Sequence, residues 1–159
     1  MKKSYRTLEF SFIQDYIKNY CFSEMAKKRI DQIQPFQDID DLKLYQDDIS
    51  SAMKIIYAYG RIPLAPYEDI KEILQKAQKG GVCYPQDLLK IVQILKNVQE
   101  VQAYLDQEIE QSHLLEILSL LYLPKDLYNE ILKCVDPSGN IYDHASHELY
   151  RLRRQISAI

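Results

Sequence analysis

The chain has 159 residues, of which 47% are apolar and 27% are charged. A chain of this size forms one domain that buries roughly two-thirds of its unfolded surface, and the composition is that of a folded protein, not a disordered one. The formal net charge of −3 argues against a domain that coats nucleic acid through bulk electrostatics, although local basic patches are compatible with it.

Apolar residues recur with the period of an α-helix along most of the chain, and there are only four glycines. The pattern predicts seven helices before the C-terminal segment, at about 8–20, 23–34, 40–59, 70–79, 85–109, 112–122 and 125–133. Pro63 and Pro66 exclude helix from the linker after Gly60, whereas Pro85 suits the first turn of the longest helix. The predicted fold class is therefore all-α, an irregular bundle of about seven helices.

The three cysteines, Cys21, Cys83 and Cys134, are odd in number, widely spaced and set among apolar residues. This pattern is typical of structural thiols in a reducing cytoplasm, and it indicates neither a disulfide framework nor a CxxC metal pair. No apolar segment of a signal peptide follows the basic N-terminus. The longest apolar run, 114–123, is about half as long as a membrane span. We expect a cytoplasmic protein that does not contact a membrane.

The C-terminal segment is the most informative part of the sequence. Residues 136–140 (DPSGN) predict a short hairpin-like turn, in which Gly139 takes a positive φ angle. Ser146 is a good N-cap, so a continuous helix is predicted over 146–159. Its apolar residues follow a 3,4,3 spacing typical of a coiled-coil seam, namely Leu149, Leu152, Ile156 and Ile159. The seam is still running at the last residue, so we expect a piece of a longer protein or a surface through which the chain self-associates.

Two clusters near this helix invite a functional interpretation. Asp143, His144, His147 and Glu148 carry metal-binding side chains, but they cross from a turn into a helix start and need not share a face, so a metal site is disfavoured. The second cluster is basic, and either it is a solvated flank of the helix or its members contact phosphate, namely Arg151, Arg153 and Arg154.

Catalytic signatures are missing from the sequence. It contains no GxxxxGK[ST], GxSxG or HExxH motif, and no Cys–His pair that would specify a nucleophile. The paired carboxylates lie at helix starts or on polar faces, where solvation explains them. We therefore expect no catalytic, cofactor-binding or metal-binding residue in this chain, and no ATP binding by the chain alone.

Four segments have distinctive sequences, namely 5–10 (YRTLEF), 60–64 (GRIPL), 79–89 (KGGVCYPQDLL) and 136–154. Together they resemble the type-two MutS family, the MutS relatives that lack the N-terminal mismatch-recognition domain. The third is similar to the family's KGGVLSPEELL, and the fourth to its D..G.I.D.AS.EL..IR..I. This chain departs from the family at His147, where proline is common, and at Cys83-Tyr84, where Leu-Ser is common. The second departure removes a good N-cap but should not alter the fold.

The resemblance implies a longer protein, in which an N-terminal helical core leads through a lever helix to a clamp and a dimerising ABC-type ATPase, often with a nuclease domain. Residues 1–145 would be the first half of the core, similar to MutS domain III, and 146–159 the start of the lever helix. The clamp, ATPase and nuclease domains would lie outside these residues. The family is associated with ATP-dependent binding of branched DNA, suppression of recombination and ribosome rescue. ATP and Mg²⁺ are thus implied for the full-length protein, with DNA or the ribosome as its partner.

Three hypotheses for function result. The first is a non-catalytic scaffold and lever module of a MutS-like DNA-binding ATPase. The alternative is a free-standing helical domain that binds a protein partner through the seam. The third, an enzyme with a metal site near His144, has the least support in the sequence.

Overall fold

The computed structural model describes residues 9–105 and 112–157. Every regular element in these ranges is helical, which confirms the predicted all-α class. None of these helices combines the length and the apolar content needed to cross a bilayer. In chain order the α-helices are α1 Phe10–Lys18, α2 Glu24–Asp31, α3 Ile39–Tyr59, α4 Lys71–Gln78, α5 Pro85–Leu105, α6 His113–Ser119, α7 Lys125–Cys134 and α8 His147–Ile156, and a 3₁₀ helix at Asp143–Ala145 precedes α8.

The helices begin and end close to the predicted signals. Asp38 caps α3, because its Oδ1 accepts a hydrogen bond from the amide of Asp40 at 2.7 Å. Gly60 ends the same helix with a φ of 83°, which favours glycine. The outer ends predicted for the first and fifth helices, at residues 8 and 109, lie outside the described ranges.

The chain divides into two compact units that alternate along the sequence. The first comprises Met1–Asp69 and Gln107–Ser119, and it holds α1, α2, α3 and α6. The second comprises Ile70–Asp106 and Leu120–Ile159, and it holds α4, α5, α7, the 3₁₀ helix and α8.

In the first unit, polar side chains join α1 to α2. The Nε2 of Gln14 donates a hydrogen bond to the carbonyl oxygen of Ile30 at 2.8 Å, and Lys18 forms an ion pair with Asp31. The apolar stripe that predicted α1 is largely exposed in this unit, at Phe12, Ile13, Tyr16, Ile17 and Tyr20.

A second pair of helices in the first unit is formed by α3 and α6. The Nδ1 of His113, the first residue of α6, lies 3.0 Å from each carboxylate oxygen of Asp48 on α3. Ile55 lies further along α3 and is buried, with 4% of its surface exposed. Two helices that are joined by one pair of polar side chains, with little buried apolar area, stabilise each other only weakly.

The second unit has a more extensive apolar core, built where α5 packs against α7. Gln102 on α5 also donates a hydrogen bond to the carbonyl oxygen of Leu121 at 2.8 Å, which joins α5 to the segment before α7. Full burial of an aliphatic side chain stabilises a fold by about 1.5–3 kcal/mol. The buried apolar residues of this unit are Leu95, Val101, Tyr104, Leu123, Ile131 and Val135.

Candidate functional site

The segment 79–89 (KGGVCYPQDLL) turns the chain sharply from α4 into α5. Gly80 has a φ of 75°, and its amide donates to the carbonyl oxygen of Ala77 at 2.9 Å. The amide of Gly81 donates to the carbonyl oxygen of Lys76, also at 2.9 Å. This pair of bonds is a Schellman motif, which satisfies the last carbonyl groups of α4 and requires a residue that tolerates positive φ at Gly80.

The same segment is joined to α5 by a small cluster of polar and aromatic groups. The carboxylate of Asp87 accepts a hydrogen bond from the backbone amide of Tyr84 at 3.0 Å. This bond caps the start of α5, although the side chain of Tyr84 cannot act as an N-cap in the way that a serine hydroxyl does. The Nζ of Lys76 lies 4.4 Å from the ring centroid of Tyr84 and 3.8 Å from the carboxylate of Asp87. The sequence predicts that Cys83-Tyr84 removes a good N-cap, and Asp87 provides a hydrogen bond at this helix start instead.

Asp136 organises the second motif, the turn at 136–140. Its Oδ1 accepts the amides of Ser138 and Asn140, each at 2.8 Å, and its Oδ2 accepts the side-chain amide of Asn140 at 3.1 Å. These bonds, above all those from Asn140, favour the charged carboxylate, and they hold the pKa of Asp136 below its usual value.

The two motifs meet where this turn packs against α5. Gly139 has a φ of 86°, as predicted, and a Cβ atom at this position would lie 2.8 Å from the Nε2 of Gln86 and 3.7 Å from Leu89. Val135 and Ile141 pair in an antiparallel bridge on either side of the turn, which confirms the hairpin-like turn. Glycine is required at position 139 for its backbone conformation, and a Cβ atom there would also displace the end of the Gln86 side chain.

The turn leads through the 3₁₀ helix into α8, and α8 is fastened back to it. The hydroxyl of Ser146 accepts the amide of Leu149 at 3.1 Å, so Ser146 is the N-cap that the sequence predicted. Arg153 donates a hydrogen bond to the carbonyl oxygen of Ile141 at 2.9 Å and forms an ion pair with Asp143. Helix α8 is therefore linked to α5 through the turn.

The seam residues of α8 differ in exposure. Leu149 is half-buried, whereas Leu152 and Ile156 are 44% and 71% exposed. Ile159 lies outside the described residues, so the predicted helix is confirmed over 147–156 and not to its last residue. The role of the seam as an interface stays a prediction.

The three arginines of α8 are in different surroundings. All three are exposed, but Arg153 already contacts the turn. Arg151 and Arg154 border a shallow groove of about 330 Å³ together with His147 and Tyr150. Phosphate contact by these arginines stays a prediction, and it is best suited to Arg151 and Arg154.

The carboxylates and imidazoles considered as metal ligands are engaged differently. Asp143 pairs with Arg153, and the ring of His144 stacks on Tyr142 with the centroids 5.0 Å apart. His147 lies on the groove of α8. In the part of the chain that the structure describes, no three His, Cys, Asp or Glu side chains are placed to hold a metal ion.

Sequence reasoning missed one concave site, which lies within the first unit. A cleft of about 430 Å³ opens between the end of α1, the start of α2 and the linker after α3. Arg61, in the linker, places its guanidinium 4.9 Å from the ring centroid of Phe22. These two residues are far apart in sequence and belong to no shared motif, so only the folded chain brings them together.

No family model matches this chain. The chain is similar to proteins named Endonuclease MutS2. It is 31% identical over 158 residues to the one from Clostridium botulinum (strain Alaska E43 / Type E3), an alignment that covers 98% of this chain and 20% of that protein. It is also 31% identical over 167 residues to the one from Halothermothrix orenii, covering 99% of this chain and 21% of that protein. The chain thus spans about a fifth of the length of the curated relatives it matches.

Proposed function

We propose that this chain is the non-catalytic N-terminal scaffold and lever module of a cytoplasmic MutS2-like protein. Residues 1–145 would form the first half of its helical core, and 146–159 the start of its lever helix. The full-length protein would be an ATPase, often also a nuclease, with ATP and Mg²⁺ bound outside this chain. Its partners would be the remaining domains of the same protein together with DNA or the ribosome.

The observation that supports this role most strongly is the chain of contacts from α5 to α8. Gly139 packs on Gln86 at the start of α5, the turn at 136–140 is fixed by Asp136, and Arg153 of α8 holds the carbonyl of Ile141. A helix fastened to a core in this way would transmit a change of its direction to that core. The same segments carry the family resemblance, and the similarity to Endonuclease MutS2 proteins covers nearly the whole chain.

A direct test is to read the coding sequence beyond the codon for Ile159. The proposal expects an open frame that encodes a clamp and, further on, a GxxxxGK[ST] motif. A stop codon at that position would contradict the proposal and favour the alternative, a free-standing helical domain.

A functional test uses the relative from Clostridium botulinum as host. Its matching fifth is replaced by this chain, and ATP hydrolysis is measured with and without branched DNA. We expect the chimera to respond to DNA, and Arg153→Gln to weaken that response because α8 is released from the turn. The matched control is Arg29→Gln, which removes the same charge from an exposed position on α2. An unchanged response in the Arg153 variant would contradict the lever role.

The alternative is supported by the exposed apolar residues of α8. Exposed aliphatic side chains favour association, since their burial is worth roughly 1.5–3 kcal/mol each. If this chain is an interaction domain, it self-associates or binds a partner through Leu152 and Ile156. Sedimentation of the chain beside Leu152→Asp/Ile156→Asp tests this, with Ile49→Asp/Met53→Asp on the exposed face of α3 as the control. Monomers in every case would rule out self-association through α8.

A further inference from the structure

The cleft in the first unit is lined by residues from two separate parts of the chain. The end of α1 and the loop after it supply Tyr20, Cys21 and Phe22, and the linker after α3 supplies Arg61 and Tyr67. Its volume of about 430 Å³ lies within the range of about 300–1,000 Å³ that is usual for ligand sites. All of these residues belong to the first unit.

Arg61 is the cationic group of this cleft that is available to a ligand. Its guanidinium lies over the face of Phe22, an arrangement that holds the plane in place and leaves the N–H groups at its edge free to bind an anion. Among the described residues, no carboxylate pairs with Arg61. The other cation, Lys27, is already bound to Glu24 at 2.7 Å. The cleft therefore has one uncompensated positive charge.

Two tyrosine rings supply flat apolar surface beside this charge. Tyr20 is 65% exposed, and its hydroxyl is hydrogen-bonded to that of Tyr16 at 3.0 Å, which fixes the ring edge-on to its neighbour. Tyr67 is half-buried and lies in the same linker as Arg61. Flat aromatic faces beside a guanidinium are the features with which proteins hold unpaired bases and their phosphates.

We propose that this cleft binds one unpaired nucleotide of a single-stranded nucleic acid, with the base on a tyrosine ring and the phosphate at Arg61. The net charge of −3 makes this a weak and salt-sensitive site, and not a long basic track. The proposal goes beyond the MutS2-like role and does not require it, because the cleft lies wholly in the first unit and the lever contacts lie in the second.

The first experiment measures fluorescence anisotropy of a labelled deoxythymidine oligomer of about twelve nucleotides with the intact chain at low salt. Arg61→Gln should weaken binding about tenfold, since a charge-assisted bond is lost. It should also lower the slope of log affinity against log salt by about 0.7. Arg29→Gln removes the same charge from an exposed position on α2 outside the cleft and should change affinity less than about twofold.

A second pair of variants tests the aromatic surface. Tyr20→Leu removes a ring from the cleft and should weaken binding about fivefold or more. Tyr57→Leu removes a tyrosine that is 83% exposed on α3 and outside the cleft, and it should leave affinity unchanged. Circular dichroism of all four variants checks that each one folds.

Cys21 gives an independent readout of occupancy. It lines the cleft, whereas Cys83 and Cys134 belong to the second unit, and all three thiols are partly exposed. Bound oligomer should slow maleimide modification of Cys21 and leave the other two rates unchanged, as measured by mass spectrometry.

The outcomes separate the proposal from its rivals. No saturable binding of the oligomer, or equal affinity for all four variants, would overturn it. Full competition by inorganic phosphate at matched ionic strength, with no effect of Tyr20→Leu, would show an anion site that does not recognise a base, and this result also overturns it. Loss of oligomer binding only in the cleft variants, with protection of Cys21, would support it.

Discussion

Helix α3 and the described part of α5 each span 21 residues, but they are buried to different extents. Helix α5 buries Leu95, Val101 and Tyr104 in the core of the second unit. In α3, all of whose residues are described, Ile55 is the one buried position. The apolar side chains that α3 leaves mostly exposed include Tyr45, Ile49, Met53, Ile56 and Tyr57.

The difference shows what helical periodicity does and does not reveal. Both sequences have an apolar face at the spacing of a helix. Helix α5 buries part of its face in the core of the second unit, where α7 packs against it, whereas α3 packs in its own unit against α6, which is seven residues long. Periodicity therefore identifies the face, and the availability of a partner decides how much free energy the face contributes.

The largest expected effect is the difference in unfolding free energy between two matched leucine truncations. Leu95→Ala in α5 should lower the free energy of unfolding by about 2–5 kcal/mol, because it leaves a cavity in a packed core. Leu44→Ala in α3 removes the same atoms from a side chain that is 43% exposed, and it should cost less than about 1 kcal/mol. Urea unfolding followed by circular dichroism measures both. Equal costs would show that α3 is buried as deeply as α5.

The second effect compares glycines at the two helices. Gly139→Ala should cost about 1–3 kcal/mol, since alanine is strained at a φ of 86° and its Cβ would meet Gln86 of α5. Gly60→Ala, at the end of α3, meets nothing within 4 Å, so its cost is backbone strain alone.

A double-mutant cycle with Gln86→Ala separates the two terms. Truncating Gln86 should reduce the cost of Gly139→Ala by about 0.5 kcal/mol or more and leave that of Gly60→Ala unchanged. Additive costs at Gly139 would contradict the contact between the turn and α5.

A smaller effect concerns the start of α3. Asp38→Ala removes the cap on the amide of Asp40 and should cost about 1 kcal/mol, which a serine at position 38 should largely restore. Because α3 has little buried apolar area to offset the lost cap, thermal unfolding of the protein should show the loss of stability clearly. If the alanine and serine variants unfold with the same midpoint, a capping role for Asp38 is excluded.

The smallest effect is a dependence on pH at the turn that packs on α5. The pKa of Asp136 is lowered in the folded state, so its contribution is present above the unfolded pKa of about 3.9 and is lost as pH falls through the lower folded value. NMR titration of the Asp136 carboxyl should give a pKa below that of an unfolded peptide, and Asp136→Asn should flatten stability against pH in this range. An ordinary pKa for Asp136 would contradict the hydrogen bonds seen in the turn.

Local chemistry explains which parts of the fold could be predicted. The cap at Ser146, the helix end at Gly60 and the positive φ of Gly139 each depend on residues within a few positions of one another. Such relations are visible in a sequence because propensity and capping act over a single turn.

The contacts that define the candidate sites depend on distant residues. Gln86 meets Gly139, and Arg61 covers Phe22, although no spacing rule links either pair. The resemblance identified the two motifs to which Gln86 and Gly139 belong, but it did not indicate that these motifs touch. The family resemblance also placed Arg61 in a motif, but it gave no indication of the cleft.

The alternation of the two units along the chain has a consequence for their synthesis. Helix α6 completes the first unit, yet it leaves the ribosome after α5, which belongs to the second unit. The nascent chain must therefore hold α3 without its later partner while α5 emerges, and it must close a long loop before either unit is complete. No single cleavage of the chain separates the units intact, because a cut after Asp69 leaves the first unit without α6 and a cut after Ser119 leaves the second unit without α4 and α5.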